Sequence, residues 1–301
     1  MRSLTVFIKR NVKLFFKDKG MFFTSLITPA ILLVLYTTFL GNVYTDSLKM
    51  AMPAGYEISD KLINGFSGAQ LISSILAVSC VTVSFCSNML MVQDKANGTL
   101  RDLTVSPVKA SVMSMSYYAA TLISTLIVCL VATGLCFIYV AITGWYLSAL
   151  DVVLLILDVV LLCLFGVALS SVINFFLSSQ EQISAVGTIV SSGYGFVCGA
   201  YMPLSQFSEG LRNTIMFLPG TYGTALVRNH AMRGVLAEME NEGLPTEFIE
   251  SVRENFDCDL YFFDSKVEMP IMYAVICGTV VLLIGAYILM NIIKSKKVRK
   301  K

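Results

Sequence analysis

Charge is scarce in this chain. Lys, Arg, Asp and Glu make up 14% of its 301 residues and hydrophobic side chains 56%, with a mean hydropathy of +0.74. A soluble domain carries about 25% charged residues, and so thin a supply cannot cover a water-facing surface. Disorder is excluded on the same grounds, because it needs low hydrophobicity. A basic excess is lacking too: 22 Lys+Arg against 20 Asp+Glu leave a net +2, which offers nucleic acid no footprint. Histidine occurs once, at His230, and there is no CxxC pair, so a zinc or haem site is short of ligands. Seven of the eight cysteines (80, 86, 129, 136, 163, 198 and 277) lie in apolar stretches, where cysteine behaves as a small hydrophobe. Only Cys258 lies in a polar segment, so no disulfide framework is expected. The chain also has no G-x-x-x-x-G-K-[ST] cradle, no G-x-S-x-G elbow and no H-E-x-x-H. Alone it is expected to be no enzyme, to bind no cofactor and to hydrolyse no nucleotide.

What it has in abundance is long apolar runs. A bilayer-crossing helix needs about 20 mainly apolar residues, and six runs qualify: 21–42, 68–92, 113–142, 152–178, 183–203 and 270–293. Because these runs are continuous rather than alternating, the expectation is an all-α integral membrane bundle and not a β-barrel. Lys and Arg set the orientation. Residues 1–20 hold six of them, the 93–112 loop three and the tail after 293 six, while seven lie on the other side. Segment 204–269 adds 11 acidic residues against five basic ones. Both termini are therefore expected in the cytoplasm, with the chain in the plasma membrane. The first apolar run is span-length rather than the short core of a cleavable signal, so it is expected to remain as a span.

Residues 1–20 form an element of their own. On a helical wheel Lys9, Arg10, Lys13 and Lys17 share one arc, opposite Leu4, Phe7, Ile8, Val12, Leu14 and Phe15. This predicts an amphipathic helix lying in the membrane interface, either as an orientation signal or as a mechanical part. The loop Asp94-x-x-x-Gly98-Thr99-Leu100-Arg101-x-Leu103-x-x-Ser106-Pro107 predicts a helix of one or two turns. Asn97-Gly98 supplies the turn, Thr99 with Asp102 the cap, and Ser106-Pro107 the stop. Leu100 and Leu103 are expected to face inward and Arg101 and Asp102 outward. Such a helix is either a plain connector or a rigid knob that a cytoplasmic partner can push. Residues 207–218, between Pro203 and Pro219, are amphipathic and too short to span, which suits a re-entrant or interfacial helix on the outer side. The acidic stretch 229–269 predicts two short amphipathic helices around Gly243-Leu244-Pro245, serving as a lid, as a site for cationic substrate, or as a solvated cap.

Within the spans, the second carries Ser73, Ser74, Ser79, Thr82, Ser84, Ser87 and Asn88. The fifth carries Ser184, Thr188, Ser191, Ser192 and Tyr194, with a Gly195–Gly199 G-x-x-x-G. Small residues let helices pack closely; the other reading is a translocation path lined by Ser84, Asn88, Ser191 and Tyr194. Asp158 is the one acid well inside a span, either paired structurally or serving transport.

The order of these pieces, with Asp94-x-x-x-Gly98-Thr99-Leu100-x-x-Leu103-x-x-Ser106-Pro107 after the second span and Pro203-x-x-x-Phe207 … Leu218-Pro219-x-Thr221-Tyr222 … Arg228 before the last, resembles the permease subunits of type-2 ABC exporters over essentially the whole chain. The resemblance implies a transport subunit that dimerises, with itself or a sister permease. A separate P-loop ATPase subunit holding ATP and Mg would power export of an amphipathic drug, peptide antibiotic or lipid-linked molecule. By resemblance, Asp94, Gly98, Thr99, Leu100, Arg101 and Leu103 form the coupling helix. Lys13 and Lys17 lie on the connecting helix beside the ATPase, and Pro203, Phe207, Pro219, Tyr222 and Arg228 belong to the outer re-entrant gate. Where that family often has Glu two residues before the Gly and directly after the Leu, this chain has Ala96 and Arg101. The competing expectation is an ion-coupled secondary carrier or channel built around Asp158.

Overall fold

A helix of 37 residues, about 55 Å at 1.5 Å per residue, runs through the middle of the molecule and is buried along nearly all its length. The structure is a computed structural model describing residues 2–299, except Ala54, Glu57, Ser106, Pro107, Lys109 and Asp264; for Arg2, Arg101, Thr104, Val105, Ala110 and residues 295–299 only the backbone is described. Its elements are α1 (Arg2–Lys17), α2 (Lys19–Leu35) continuing through a π-turn (Tyr36–Leu40) into α3 (Gly41–Ala51), α4 (Asp60–Ala96), α5 (Thr99–Val105), α6 (Ala110–Thr143), α7 (Ala149–Phe176), α8 (Gln180–Val197), α9 (Glu209–Ile215), α10 (Pro219–Asn241), α11 (Thr246–Asn255), a small antiparallel hairpin β1 (Leu260–Phe262) with β2 (Ser265–Val267), and α12 (Met269–Arg299). The central helix is α4, and α2, α6, α7, α8 and α10 pack around it.

The chain is an all-α integral membrane protein. Among the described residues five helical stretches are long and apolar enough to cross a bilayer: 19–51, 60–96, 111–143, 149–176 and 269–294. The expected fifth span, 183–203, instead ends at Val197 as the 18-residue α8, about 27 Å long against a hydrocarbon core of about 30 Å. It ends because Gly199 turns with φ +73° and the N–H groups of Ala200 and Tyr201 fold back onto the Gly195 carbonyl. Contacts between distant segments place the ends: Arg10 of α1 meets Asp94 at the foot of α4, α5 follows on directly, and Ser114 of α6 donates to Asn291 of α12, so these pieces gather at one end.

Four of the serines and threonines of α4 fold back on their own helix. Ser73, Ser79, Thr82 and Ser84 donate to the carbonyls of Gln70, Ile75, Val78 and Cys80, and Asn88 reaches Ser170 and Ser171 on α7 at 3.0 Å. With their polar atoms folded back, these short side chains let α7 come close. At Gly166 a Cβ would stand 2.7 Å from Ser84 Oγ and 2.8 Å from the Cys80 carbonyl oxygen. Gly166→Val is therefore expected to wedge α4 from α7 and cost about 1–3 kcal/mol, seen as a lower melting temperature in detergent. Gly134→Ala, where a Cβ meets open space, is expected to leave it unchanged or raise it.

Candidate functional site

Three places in the fold bring functional side chains together. The first is the end that carries α1. That helix is amphipathic as expected, with Lys9, Lys13 and Lys17 exposed and Asn11 and Phe15 buried. Arg10 departs from its expected place among them. It turns inward, Nη1 donating to Asp94 Oδ2 at 2.9 Å and Nη2 to Oδ1 at 3.4 Å, while the Tyr117 hydroxyl of α6 donates to the same carboxylate at 2.5 Å. Asp94, expected to meet a partner, is 7% exposed and fully engaged within the chain, so it is a positioning residue. Four residues on, Gly98 takes φ +79°, a conformation that glycine adopts without penalty, and α5 begins. Thr99 is the first residue of that helix rather than its cap, and the Gly98 carbonyl accepts from Asp102 N–H at 3.2 Å. Leu100 and Leu103 pack against the core, while Asn97 and Asp102 are exposed. The expected stop, Ser106-Pro107, and the Arg101 side chain lie outside the described residues. Nearby, Lys95 Nζ donates to the carbonyls of Asn174, Phe175 and Leu177 at 2.9–3.2 Å, capping α7.

The second place is a groove of about 1310 Å³ between α2–α3 and α8, open to the side. Ile27, Ile31, Phe39 and Phe196 form its apolar wall, and Ser184, Thr188, Ser191 and Ser192 its hydroxyl-bearing one. Of the four residues expected on a path, only Ser191 lines it. Ser84 and Asn88 are sealed between α4 and α7 with their hydrogen bonds made inside the chain. Tyr194 turns towards α10, where a Cβ on Gly220 would touch its hydroxyl oxygen. Close packing is thus the right account of α4, and exposure to a cavity the right account of α8.

The third place is the opposite end. Here the buried re-entrant element is not 207–218. The chain makes the short α9 and then sends α10, from Pro219, back into the bundle, with residues 220–232 buried throughout. Pro203 leads into a 3-10 turn over Leu204–Gln206 and Phe207 is half-buried against the core. The Tyr222 hydroxyl donates to the Met216 carbonyl at 2.7 Å. Arg228 is fully buried: Nη1 donates to Asp257 Oδ2 at 3.1 Å and Nη2 to the Gly199 carbonyl at 2.8 Å. Asp257 also accepts from Leu204 N–H at 2.8 and 3.0 Å, holding a backbone with φ +54°. One ion pair thus ties the end of α8, the Pro203 turn, α10 and the segment after α11. Segment 229–269 is two-faced: Val235, Leu236 and Met239 of α10 and Phe248, Ile249 and Val252 of α11 enter the core, while Glu240, Glu242, Glu247, Glu250 and Glu254 are exposed. Outside this knot Asp259 accepts from Arg253 and Lys266. Burial pushes its carboxyl up, but the two cations outweigh that and leave it below the usual carboxylate range.

Sequence reasoning missed two groupings. His230, assigned to a polar outer stretch, is buried with Nδ1 2.6 Å from Asp158 Oδ2, and the Tyr273 hydroxyl of α12 donates to Asp158 Oδ1 at 2.7 Å. Asp158 is thereby paired, and it lies outside the groove. The alternation of polar residues along α10 was the available signal, obscured by its low hydropathy. Cys80, Cys129 and Cys163 also converge, although nothing in their spacing announces it.

Removing the carboxylate by Asp257→Ala leaves the Arg228 guanidinium buried without a counter-charge, a loss of about 3–5 kcal/mol. It is expected to lower the denaturation midpoint by more than Arg228→Met combined with Asp257→Asn, which removes both charges and keeps an acceptor for Leu204 N–H. Comparison with known families returns a match over residues 2–231 to the family model described as ABC-2 type transporter. No curated protein matches the chain.

Proposed function

The chain belongs to the ABC-2 type transporter family, and from that premise we propose that it is the lipid-embedded half of an ATP-driven exporter of amphipathic molecules. Membership makes it a multi-pass permease subunit of an ABC transporter, a transport part rather than a catalyst, in a family that works with an ATP-binding subunit. The further steps are our reading. The observation that carries it is the Arg10–Asp94–Tyr117 knot. It joins the interfacial helix α1, the foot of the central helix α4 and the start of α6 into one rigid block, with α5 following directly from α4. A force on α5 or α1 therefore moves α4 as a lever instead of being lost in a loose loop.

In this account the ATPase docks on the exposed side of that block, over Asn97 and Asp102, with Lys13 and Lys17 beside it. Gly98, Thr99, Leu100 and Leu103 shape and seat the helix from beneath. The positive-inside bias places this end in the cytoplasm and the chain in the plasma membrane. The α2–α3/α8 groove is half of a substrate path, completed by a second permease chain, identical or sister, across its open side. Its apolar wall suits a drug, a peptide antibiotic or a lipid-linked molecule. The Arg228–Asp257 knot, with Pro203, Phe207, Pro219 and Tyr222 around it, forms the outer closure that must yield for release. ATP and Mg stay with the partner. The competing carrier reading draws only on Asp158, whose two partners and position outside the groove favour a structural task.

The test is co-purification and transport in proteoliposomes with the cognate P-loop ATPase. Asp102→Arg, exposed and outside the knot, is expected to weaken ATPase association about tenfold or more, equivalent to about 1.4 kcal/mol, with melting temperature unchanged. Asp94→Asn is expected to keep association but uncouple ATP hydrolysis from transport. Transport driven by a proton gradient without ATP and without the partner overturns the proposal.

A further inference from the structure

Three cysteine side chains from three different membrane helices meet inside the bundle: Cys80 of α4, Cys129 of α6 and Cys163 of α7. Their sulfurs all lie within 4.8 Å of one another and each residue is 0% exposed. One weak bond is recorded for them, Cys80 Sγ donating to the Val159 carbonyl at 3.7 Å. Among the described residues no charged side chain pairs with or hydrogen-bonds to these sulfurs. We propose that this triad is a three-sulfur site for a trivalent thiophilic centre of the arsenous-acid class, and that filling it locks α4, α6 and α7 together.

Geometry gives the first reason. A metal–thiolate bond is about 2.3 Å long, so a centre bonded to three sulfurs holds them no more than about 4 Å apart. The triad is within a rotamer adjustment of that spacing, with the ligands already delivered by three separate backbones. Soft thiolates favour soft, thiophilic ions. Charge then selects among those ions. A buried complex with uncompensated charge is costly in a low-dielectric interior, and no cation is at hand here. Three thiolates around a monovalent cuprous ion leave −2 and around divalent zinc or mercury −1. Around trivalent arsenic or antimony they leave zero.

The reaction conserves that neutrality. Arsenous acid, As(OH)3, is uncharged at neutral pH, and with three thiols it gives As(SCys)3 and three waters. Three As–S bonds form and three As–O bonds break. Each thiol proton leaves with a hydroxide as water, and nothing is oxidised or reduced. Neither the reagent nor the product carries charge into the bundle. Close contact between α4 and α7 at Gly166, where a Cβ would press on the Cys80 carbonyl, is what brings Cys163 to Cys80, so the site depends on native packing and is absent from an unfolded chain.

The experiment uses the full chain in nanodiscs, reduced with a phosphine and titrated with sodium arsenite. Arsenic-edge absorption is expected to show one arsenic per chain with three As–S and no As–O bonds. Cys129→Ala removes one arm of the chelate and is expected to weaken binding about 100-fold or more, while Cys277→Ala, at an exposed position, leaves it unchanged. Should Cys129→Ala fail to fold, the converse variant decides: with Cys86, Cys136, Cys198, Cys258 and Cys277 all replaced by Ala, full binding is expected to persist. Fewer than three As–S bonds, equal binding by the Cys129→Ala chain, or loss of binding in the folded converse variant overturns the site. Displacement of arsenite by equimolar cuprous ion overturns the choice of a trivalent ligand. None of these readouts uses transport, so the result stands apart from the exporter reading.

Discussion

The structure depends on one constraint: α4 is wrapped on nearly every side, so the polar atoms it carries either find a partner within the protein or, like Ser74 Oγ, Ser87 Oγ and the Gln70 amide, go without one. In hydrocarbon or in a dry bundle an unsatisfied group costs several kcal/mol. The solution is local. Serine and threonine hydroxyls bend back to carbonyls three or four residues earlier, and Asn88, too long for that, is met by Ser170 and Ser171. A helix dressed this way is smooth and narrow. Its neighbours approach to backbone distance, and those close approaches hold the rest of the bundle in register.

Apart from Asp158, held by His230 and Tyr273, two ion pairs sit at the two ends of this mast, and there they act as joints. At one end Arg10 and Asp94 are tied to Tyr117; at the other Arg228 and Asp257 are tied to Gly199 and Leu204. A buried ion pair adds little stability compared with a well-packed apolar substitute. It does fix geometry, because a misaligned partner leaves a naked charge. Both pairs connect elements far apart in the sequence, next to the segments proposed above to meet a partner at one end and to close the path at the other. Apolar contacts, which tolerate sliding, would specify those junctions less sharply.

How much of this was legible in the residues follows from which signals are local. Runs such as 152–178 announce themselves because lipid demands continuous apolarity, and α7 lies there. The run 183–203 overstated α8, because Gly199 ends the helix in a conformation that hydropathy does not register. The segment 219–241 failed every span criterion, yet most of α10 is buried, because its Arg228, Asn229 and His230 are each paired with residues outside α10. Amphipathicity placed α1 correctly but put Arg10 on the wrong side, since only Asp94, eighty-four positions away, draws it inward. Ser84 and Asn88 shared the small-polar composition of α8, and composition does not say which face of a helix meets a cavity. The cysteine triad was invisible for the same reason: three apolar-looking positions on three helices have no pattern along the chain.

The groove wall of α8 has a property that bears on what it can recognise. Two of its four hydroxyls are turned onto their own helix: Thr188 donates to the Ser184 carbonyl and Ser192 to the Thr188 carbonyl. On the α2–α3 side of the groove Ser47 likewise donates to the Val43 carbonyl. A site that rejects close analogues strongly does so by leaving a buried donor or acceptor unpaired when the wrong molecule binds. Hydroxyls already satisfied by their own helix impose no such penalty, so along Thr188 and Ser192 the wall discriminates by apolar area and fit, which is weak discrimination per methylene. A surface built this way lets amphipathic molecules pass along it without holding any one of them fast, as the proposed export path requires.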